Sequence, residues 1–489
     1  MANKKHSYKK RIIVVSNRLP FSKKVDKKGQ VTWHKSIGGL ITAMDPILQS
    51  TGGIWVGWDG HLSRKSEYEF KRYKSSDIIP NDVTRKGSYD IASVPLSKKE
   101  YEEYYIKFSN GTLWALFHYF FEKSSINYSE WKSYKEVNKR FAHYINDIAN
   151  PEDIIWVQDF HLFLVPYYLR QLSPSSKIHF FLHIPFPHLD IFSILPWQRE
   201  ILESLLCCDT VGFHDKQYLK NFYGCIEAYK KEKKAAGNIT SEEKIRTHGY
   251  ANPISIDFNV IDEVSRSKSV ECRKKEIIEQ SGCSKILVGV DRIDYSKGIK
   301  ERMLAVENLL KNHPELKENI FYYQLVVPSR ESLDAYSELK KEIDEIIGRI
   351  NGRFSTGLWT PVHYNYGTIP FEELVALYGA ADIALVTPLR DGMNLVCKEY
   401  IAAHSDGDGV LILSKFAGAI GEIKDSIAIN PYNIKDIENA IYTAINMPEE
   451  ERRRRMRKMR KKIKTNTINN WLNRCFEEFN WMKKNEKFS

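Results

Sequence analysis

Short, continuous apolar runs set the rhythm of this chain. They occur at 11–16 (RIIVVS), 153–159 (DIIWVQD), 177–184 (KIHFFLHI), 210–214 (TVGFH), 285–291 (KILVGVD), 321–327 (FYYQLVV), 383–388 (IALVTP) and 409–414 (GVLILS). A strand that is apolar at nearly every position is one covered on both faces. Between the runs, apolar residues recur at helical spacing, as at 197–207, 300–311, 331–350, 371–380 and 434–447. Buried strands alternating with amphipathic helices predict an α/β protein with parallel sheets. The polar segment 226–250 breaks the rhythm, which restarts after ANPISIDF (251–258). Two doubly wound domains of similar size are therefore expected, at 1–250 and 251–467. Ligands in such sheets bind beyond the carboxyl ends of strands, so two facing domains would enclose a cleft there.

Composition narrows the class. With 489 residues, 42% of them hydrophobic, the chain can bury large cores. No apolar run approaches the length of a membrane span, and the run Ile12–Val15 is too short for a secretion signal. Seven cysteines are scattered without CxxC or zinc spacing, which suits a reducing cytoplasm. The net charge of +11 is concentrated in 452–464, RRRRMRKMRKKIK, which carries ten of those charges. Glu449–Glu451 precede this run, as a helix dipole prefers, and Met456, Met459 and Ile463 form a stripe that can dock on a core. The reading is a solvated helix back rather than a nucleic-acid surface.

Polar residues that follow strands are the candidates for chemistry. Arg18 ends the first run, and Gly38-Gly39 opens a helix-like stretch where backbone can approach a diphosphate or a sugar. Neither a GxGxxG nor a GxxxxGK[ST] motif is present. Asp159 and His183 end two strands and can meet sugar hydroxyls or a reacting carbonyl. Arg292 and Lys297 leave the 285–291 strand on a loop before a helix, a pairing that suits a diphosphate, and Arg330 ends the next strand. TPLRDGMNLVCKEY (387–400) puts a glycine break and an expected helix start between Asp391 and Glu399, with Glu399 about two turns in. Two carboxylates repel a bare phosphate. They suit a nucleotide sugar whose phosphates are held by Arg292 and Lys297 and whose sugars offer neutral hydroxyls. DGDG (406–409) contains Asp-x-Asp, which in metal-dependent transferases holds a cation; here it reads as a solvated turn, and no metal or cofactor is expected.

These stretches together resemble the trehalose-6-phosphate synthase family of retaining glycosyltransferases. The resemblance is carried by VVSNRLP, GGL, GGIWVGWDG, YYIKFSNGTLWALFHY, WVQDFHL, FFLHIPFP, ILPWQREILESLLCCDTVGFH, DRIDYSKG, RINGRF, TPLRDGMNLVCKEY and LSKFAGA, in order from about residue 11 to 420. It implies the GT-B fold of two Rossmann-like domains, with UDP-glucose as donor and glucose 6-phosphate as acceptor. By the same resemblance the acceptor phosphate falls to Arg18 and Arg330, and the acceptor sugar to Tyr105, Trp114 and Asp159. The donor falls to Gly38, Gly39, Arg292, Lys297, Ile369, Asp391 and the run Leu395, Val396, Cys397, Lys398 and Glu399. Trp114 and His183 match positions linked to the α-configured product. The closing segment, 468–489, is implied to form a helix that crosses back to the first domain.

The implied chemistry is glucosyl transfer through an oxocarbenium-like transition state. The leaving phosphate oxygen takes the proton of the incoming hydroxyl. Gln158 departs from the family's usual histidine. A glucosylglycerol-phosphate synthase with a smaller acceptor, and a silent sugar-phosphate sensor, are the alternatives. Nucleic acid and membrane are not expected partners, and a homo-oligomer is left open.

Overall fold

The structure, a computed structural model, describes residues 10–480 apart from 27, 29, 36–38, 66–67, 79–86, 236–245 and 331–332. It is α/β. The chain divides into two compact units, Met1–Asn252 with Asn469–Ser489, and Pro253–Ile468.

The first unit is built on an eight-stranded sheet. Its order is His248–Ala251, Thr210–Phe213, Lys177–Leu182, Ile154–Gln158, Ile12–Arg18, Ile54–Trp58, Asp90–Ser93 and Lys71–Lys74. Every neighbouring pair is parallel except the last, whose edge strand runs antiparallel. The central strands are buried along their length, Ile12–Arg18 up to its exposed last residue and Ile154–Gln158 throughout, as their unbroken apolar runs require. Helices cover the sheet, among them Tyr128–Ile148, which Asn127 caps by accepting from Ser129 N and Glu130 N. The closing helix Ile468–Glu478 also belongs to this unit from Asn469 on. Its Trp471 is wholly buried, lies 5.5 Å from the Trp156 ring and donates through Nε1 to the Asn252 carbonyl at 3.1 Å.

The second unit has a six-stranded, fully parallel sheet in the order Val362–Tyr366, Ile320–Val327, Lys285–Arg292, Ile383–Val386, Val410–Ser414 and Ile427–Ile429. From Lys285–Arg292 the next strands step outward to one side. From Ile383–Val386 they step to the other. The point between those two strands is where a doubly wound sheet leaves a crevice at its carboxyl edge.

Strands beyond the expected ones have physical reasons for escaping notice. Ile54–Trp58 is interrupted by Gly57, where a Cβ would lie 2.8 Å from the Ser16 carbonyl, so a glycine is needed in mid-strand. His248–Ala251 closes the sheet edge from inside a polar segment, and only Tyr250 supplies it with a large buried side chain. The basic run folds as the helix Glu449–Thr465 with Met456, Met459 and Ile463 buried. Its first four arginines are paired: Arg452 with Asp408, Arg453 with Glu449, Arg454 and Arg455 with Glu451. Among the described residues no helix is long and apolar enough to cross a membrane.

Candidate active site

In the second unit, two loops meet at the switch point. The first leaves Arg292. Asp294 accepts from Ser296 N at 2.9 Å and so closes a tight turn, and Gly298 follows with φ +64°. A Cβ on Gly298 would stand 2.2 Å from the Thr387 carbonyl, so only glycine lets this loop touch the second one, which leaves the Ile383–Val386 strand. Leu389 N donates to the Ser296 carbonyl at 2.7 Å and ties them together. Across this seam Lys297 Nζ reaches Asp391 Oδ2 at 2.6 Å. Asp391 accepts also from Asn394 Nδ2 at 3.2 Å. Arg330 donates to the Tyr336 hydroxyl at 2.7 Å and lies 3.4 Å from Asp294 Oδ2. Burial pushes the Asp294 carboxyl up, but Arg330, Lys297 and Arg292 outweigh it and hold the group below the usual carboxylate range. The three cations anticipated from the sequence thus gather around one buried carboxylate.

The helix after this loop starts later than the sequence pattern implied. It spans Val396–Ala403, so Glu399 stands in its first turn and not two turns in. The cause is Asn394. Its φ is +75°, and its side-chain oxygen accepts from Cys397 N at 3.2 Å. Two of the expected donor contacts have side chains turned elsewhere. Cys397 is buried with Sγ on the Asn394 carbonyl, and Lys398 Nζ donates to the Ile254 carbonyl at 2.7 Å and to Glu422 at 2.6 Å. The amides of Lys398 and Glu399 already bond the Leu395 carbonyl. Leu395, Val396 and Glu399 are half-buried. Glu399 accepts from the Tyr378 hydroxyl at 3.2 Å, and burial raises its pKa above the ordinary glutamate value. Ile369 is half-buried in the connection between Val362–Tyr366 and the helix Phe371–Ala380.

In the first unit, the carboxyl ends of three adjacent strands carry Arg18, Asp159 and His183. The Arg18 guanidinium lies over the rings of Trp58 at 4.8 Å and Tyr105 at 5.3 Å. Tyr105 stacks on His161 at 5.6 Å, His161 is tilted against Phe160 at 3.9 Å, and Phe160 is tilted against Trp114 at 5.8 Å. An aromatic wall therefore links Arg18 to Trp114. Asp159 has φ +71° and ψ 167°, backbone that non-glycine residues rarely adopt, and its carboxylate accepts from His183 N at 3.2 Å. The His183 ring meets Gln158 Oε1 through Nε2 at 2.9 Å, and this contact orients the ring. Gly39 opens the helix Gly39–Thr51; Gly38 lies outside the described residues.

Desolvation depresses both His183 and the neighbouring strand's His179 to a pKa of about 3. His179 is 3% exposed, under Phe479 at 4.0 Å and bonded to Thr210 Oγ1 at 2.9 Å. Both rings are neutral when folded, whereas in the unfolded chain they bind a proton near pH 6.5. The unfolded state then holds more protons between those values, so stability falls as pH drops below 6.5, by about 1.4 kcal/mol per pH unit for each ring. Urea unfolding at pH 7 and pH 5 should show the fall, and His179→Asn should remove about half of it. A flat profile would overturn the buried-neutral assignment.

Residues that sequence reasoning passed over also build the site. Trp58, inside GGIWVGWDG, supports Arg18; Tyr378 positions Glu399; Asn394 starts the helix. A cavity of about 230 Å³ lies at the opposite, amino-terminal edge of the second sheet, lined by Lys274, Asp382, His404, Asp406 and Asp408. Asp406 and Asp408 of the DGDG turn are held there by Lys274 at 2.8 Å and Arg452 at 2.9 Å. That cavity is remote from the switch point.

Comparison with known proteins gives consistent results. The model of glycosyltransferase family 20 matches residues 10–481. The trehalose-6-phosphate synthase of Mycobacterium avium (strain 104) is 38% identical over 473 residues, covering 94% of this chain and 93% of that protein. The UDP-forming alpha,alpha-trehalose-phosphate synthase A of Dictyostelium discoideum is 37% identical over 464 residues; the match covers 94% of this chain and 61% of that longer protein. Among solved structures, a UDP-forming alpha,alpha-trehalose-phosphate synthase from Burkholderia xenovorans in complex with glucose-6-phosphate superposes with a TM-score of 0.83 at 30% identity, over 96% of this chain and 100% of that one.

Proposed function

The chain belongs to glycosyltransferase family 20, and from that membership we propose that it transfers glucose from UDP-glucose to glucose 6-phosphate with retention, releasing trehalose 6-phosphate and UDP. The observation that carries the reading is the gathering of Arg292, Lys297 and Arg330 at the switch point of the second sheet, with Lys297 on Asp391.

The roles follow from the chemistry of each group. Arg292 and Lys297 neutralise the charge that develops on the leaving diphosphate, which is the largest stabilisation such a site offers. Asp391 accepts from the hydroxyls of the donor glucose, and Glu399 from those of the ribose. Leu395 and Val396 border the sugar, and Ile369 lies where the base is read by backbone. Arg18 grips the acceptor phosphate; Tyr105, Trp114 and Asp159 line the acceptor sugar. The Arg18 fork, placed over two rings, can make bidentate contact. Attack comes from the face the diphosphate leaves. The departing phosphate oxygen takes the proton of the attacking hydroxyl, and His183, neutral, offers its ring to a sugar hydroxyl. A double displacement would need two carboxylates about 5 Å apart, whereas front-face attack calls for no carboxylate nucleophile. The free thiols of all seven cysteines are in keeping with a cytoplasmic enzyme.

Product analysis with UDP-glucose and glucose 6-phosphate tests the reading. Trehalose 6-phosphate is the expected product. Transfer only to glycerol 3-phosphate, or from another nucleotide, would redirect it, and no transfer in such a panel would favour a sensor. Arg18→Ala is expected to raise the KM for glucose 6-phosphate at least tenfold while the UDP affinity stays within twofold. Equal effects on both ligands would remove Arg18 from the acceptor phosphate.

A further inference from the structure

Arg302, in the first turn of the helix Ile299–Asn312, is completely buried. Its guanidinium fills the space above Gly289 of the central strand, where a Cβ would come within 2.3 Å of Nη1. From there it divides its donors. Nη1 meets Asp291 Oδ2 at 2.8 Å and Gln324 Oε1 at 3.0 Å. Nε donates to Thr387 Oγ1 at 2.9 Å, and Nη2 lies 3.4 Å from the Lys297 carbonyl. One planar group thus touches the strand residue before Arg292, the backbone of Lys297 and the first residue of the loop that carries Asp391.

A buried ion pair is weak evidence of stabilisation, because a well-packed apolar set of the same volume often does as well. Geometry is what a fixed fork adds over such a set. We propose that Arg302 is a positioning residue for the donor diphosphate: it sets the spacing of the Arg292–Lys297 loop against the Thr387–Asp391 loop. The proposal rests on the donor reading given above. In it Arg302 touches no substrate. It acts through the Lys297 backbone and Thr387, so it governs how well the cations of one loop and the carboxylate of the other meet a single ligand.

The test uses Arg302→Lys, which keeps a charge for Asp291 but cannot span both loops, and Thr387→Val, which deletes the Nε acceptor with little change of shape. UDP affinity is measured by calorimetry, and the KM of each substrate by steady-state kinetics. The expected result is UDP binding at least tenfold weaker for Arg302→Lys and three- to tenfold weaker for Thr387→Val, with the KM for glucose 6-phosphate within twofold of the parent. A merely structural role would lower the amount of active enzyme and leave these constants unchanged. UDP affinity within twofold in the folded variants overturns the proposal, and if Arg302→Lys does not fold, Thr387→Val decides alone. The two readings fail separately. A parent protein that binds UDP but forms no trehalose 6-phosphate loses the acceptor assignment and leaves Arg302 to be judged on UDP affinity. A parent that binds no UDP overturns both.

Discussion

Lys297→Ala is expected to fold normally and to turn over about 30- to 1000-fold more slowly, the equivalent of roughly 2–4 kcal/mol of lost transition-state stabilisation. Folding survives because Asp391, the partner left behind, is still held by Asn394 Nδ2 at 3.2 Å and by Met393 N at 3.4 Å. Activity falls because the ammonium is a point charge in the seam proposed for the leaving group, and it is largely shielded from water, with its side chain 11% exposed. Charge stabilisation is worth most in such low-dielectric places. Turnover by purified, folded Lys297→Ala within threefold of the parent would remove Lys297 from the chemistry. Unfolded protein would instead show that the Lys297–Asp391 pair holds the loops together.

The second large effect concerns stability. Trp471→Ala should cost about 3–5 kcal/mol in urea unfolding, as expected for deleting a fully buried aromatic side chain. The residue stacks on Trp156, meets Phe181 edge-on at 5.1 Å and satisfies the Asn252 carbonyl. Trp471→Phe should recover most of the loss and leave the unsatisfied carbonyl as the remainder. A loss below about 1 kcal/mol for the alanine variant would mean that the closing helix contributes little to the first unit.

The parallel strands were legible because sheets covered on both faces leave unbroken apolar runs, as in RIIVVS and KILVGVD. The cations were legible because residues at strand ends fall at the sheet's carboxyl edge. What stayed hidden was backbone geometry. Asp159, Arg330 and Asn394 all have positive φ, and all three lie in the candidate site. No composition or spacing signals a strained non-glycine residue, because the surrounding structure imposes it. Asn394 shows the consequence. Its conformation delays the helix and moves Glu399 into the first turn, although the apolar pattern of MNLVCKEY runs on without a break. Side-chain direction was hidden too. Lys398 and Lys297 are both cations near the same loops, yet one is spent on Glu422 and the Ile254 carbonyl, and the other faces the seam.

The first unit is assembled from both ends of the chain, and this has a consequence for synthesis on the ribosome. After Asn252 is made, roughly 230 further residues must be translated before Trp471, Phe476 and Phe479 can cover Trp156 and His179. At ordinary elongation rates that interval is about 10–45 s. During it the nascent sheet presents an uncovered aromatic surface, the kind of exposure that chaperones recognise and that drives aggregation when they are scarce.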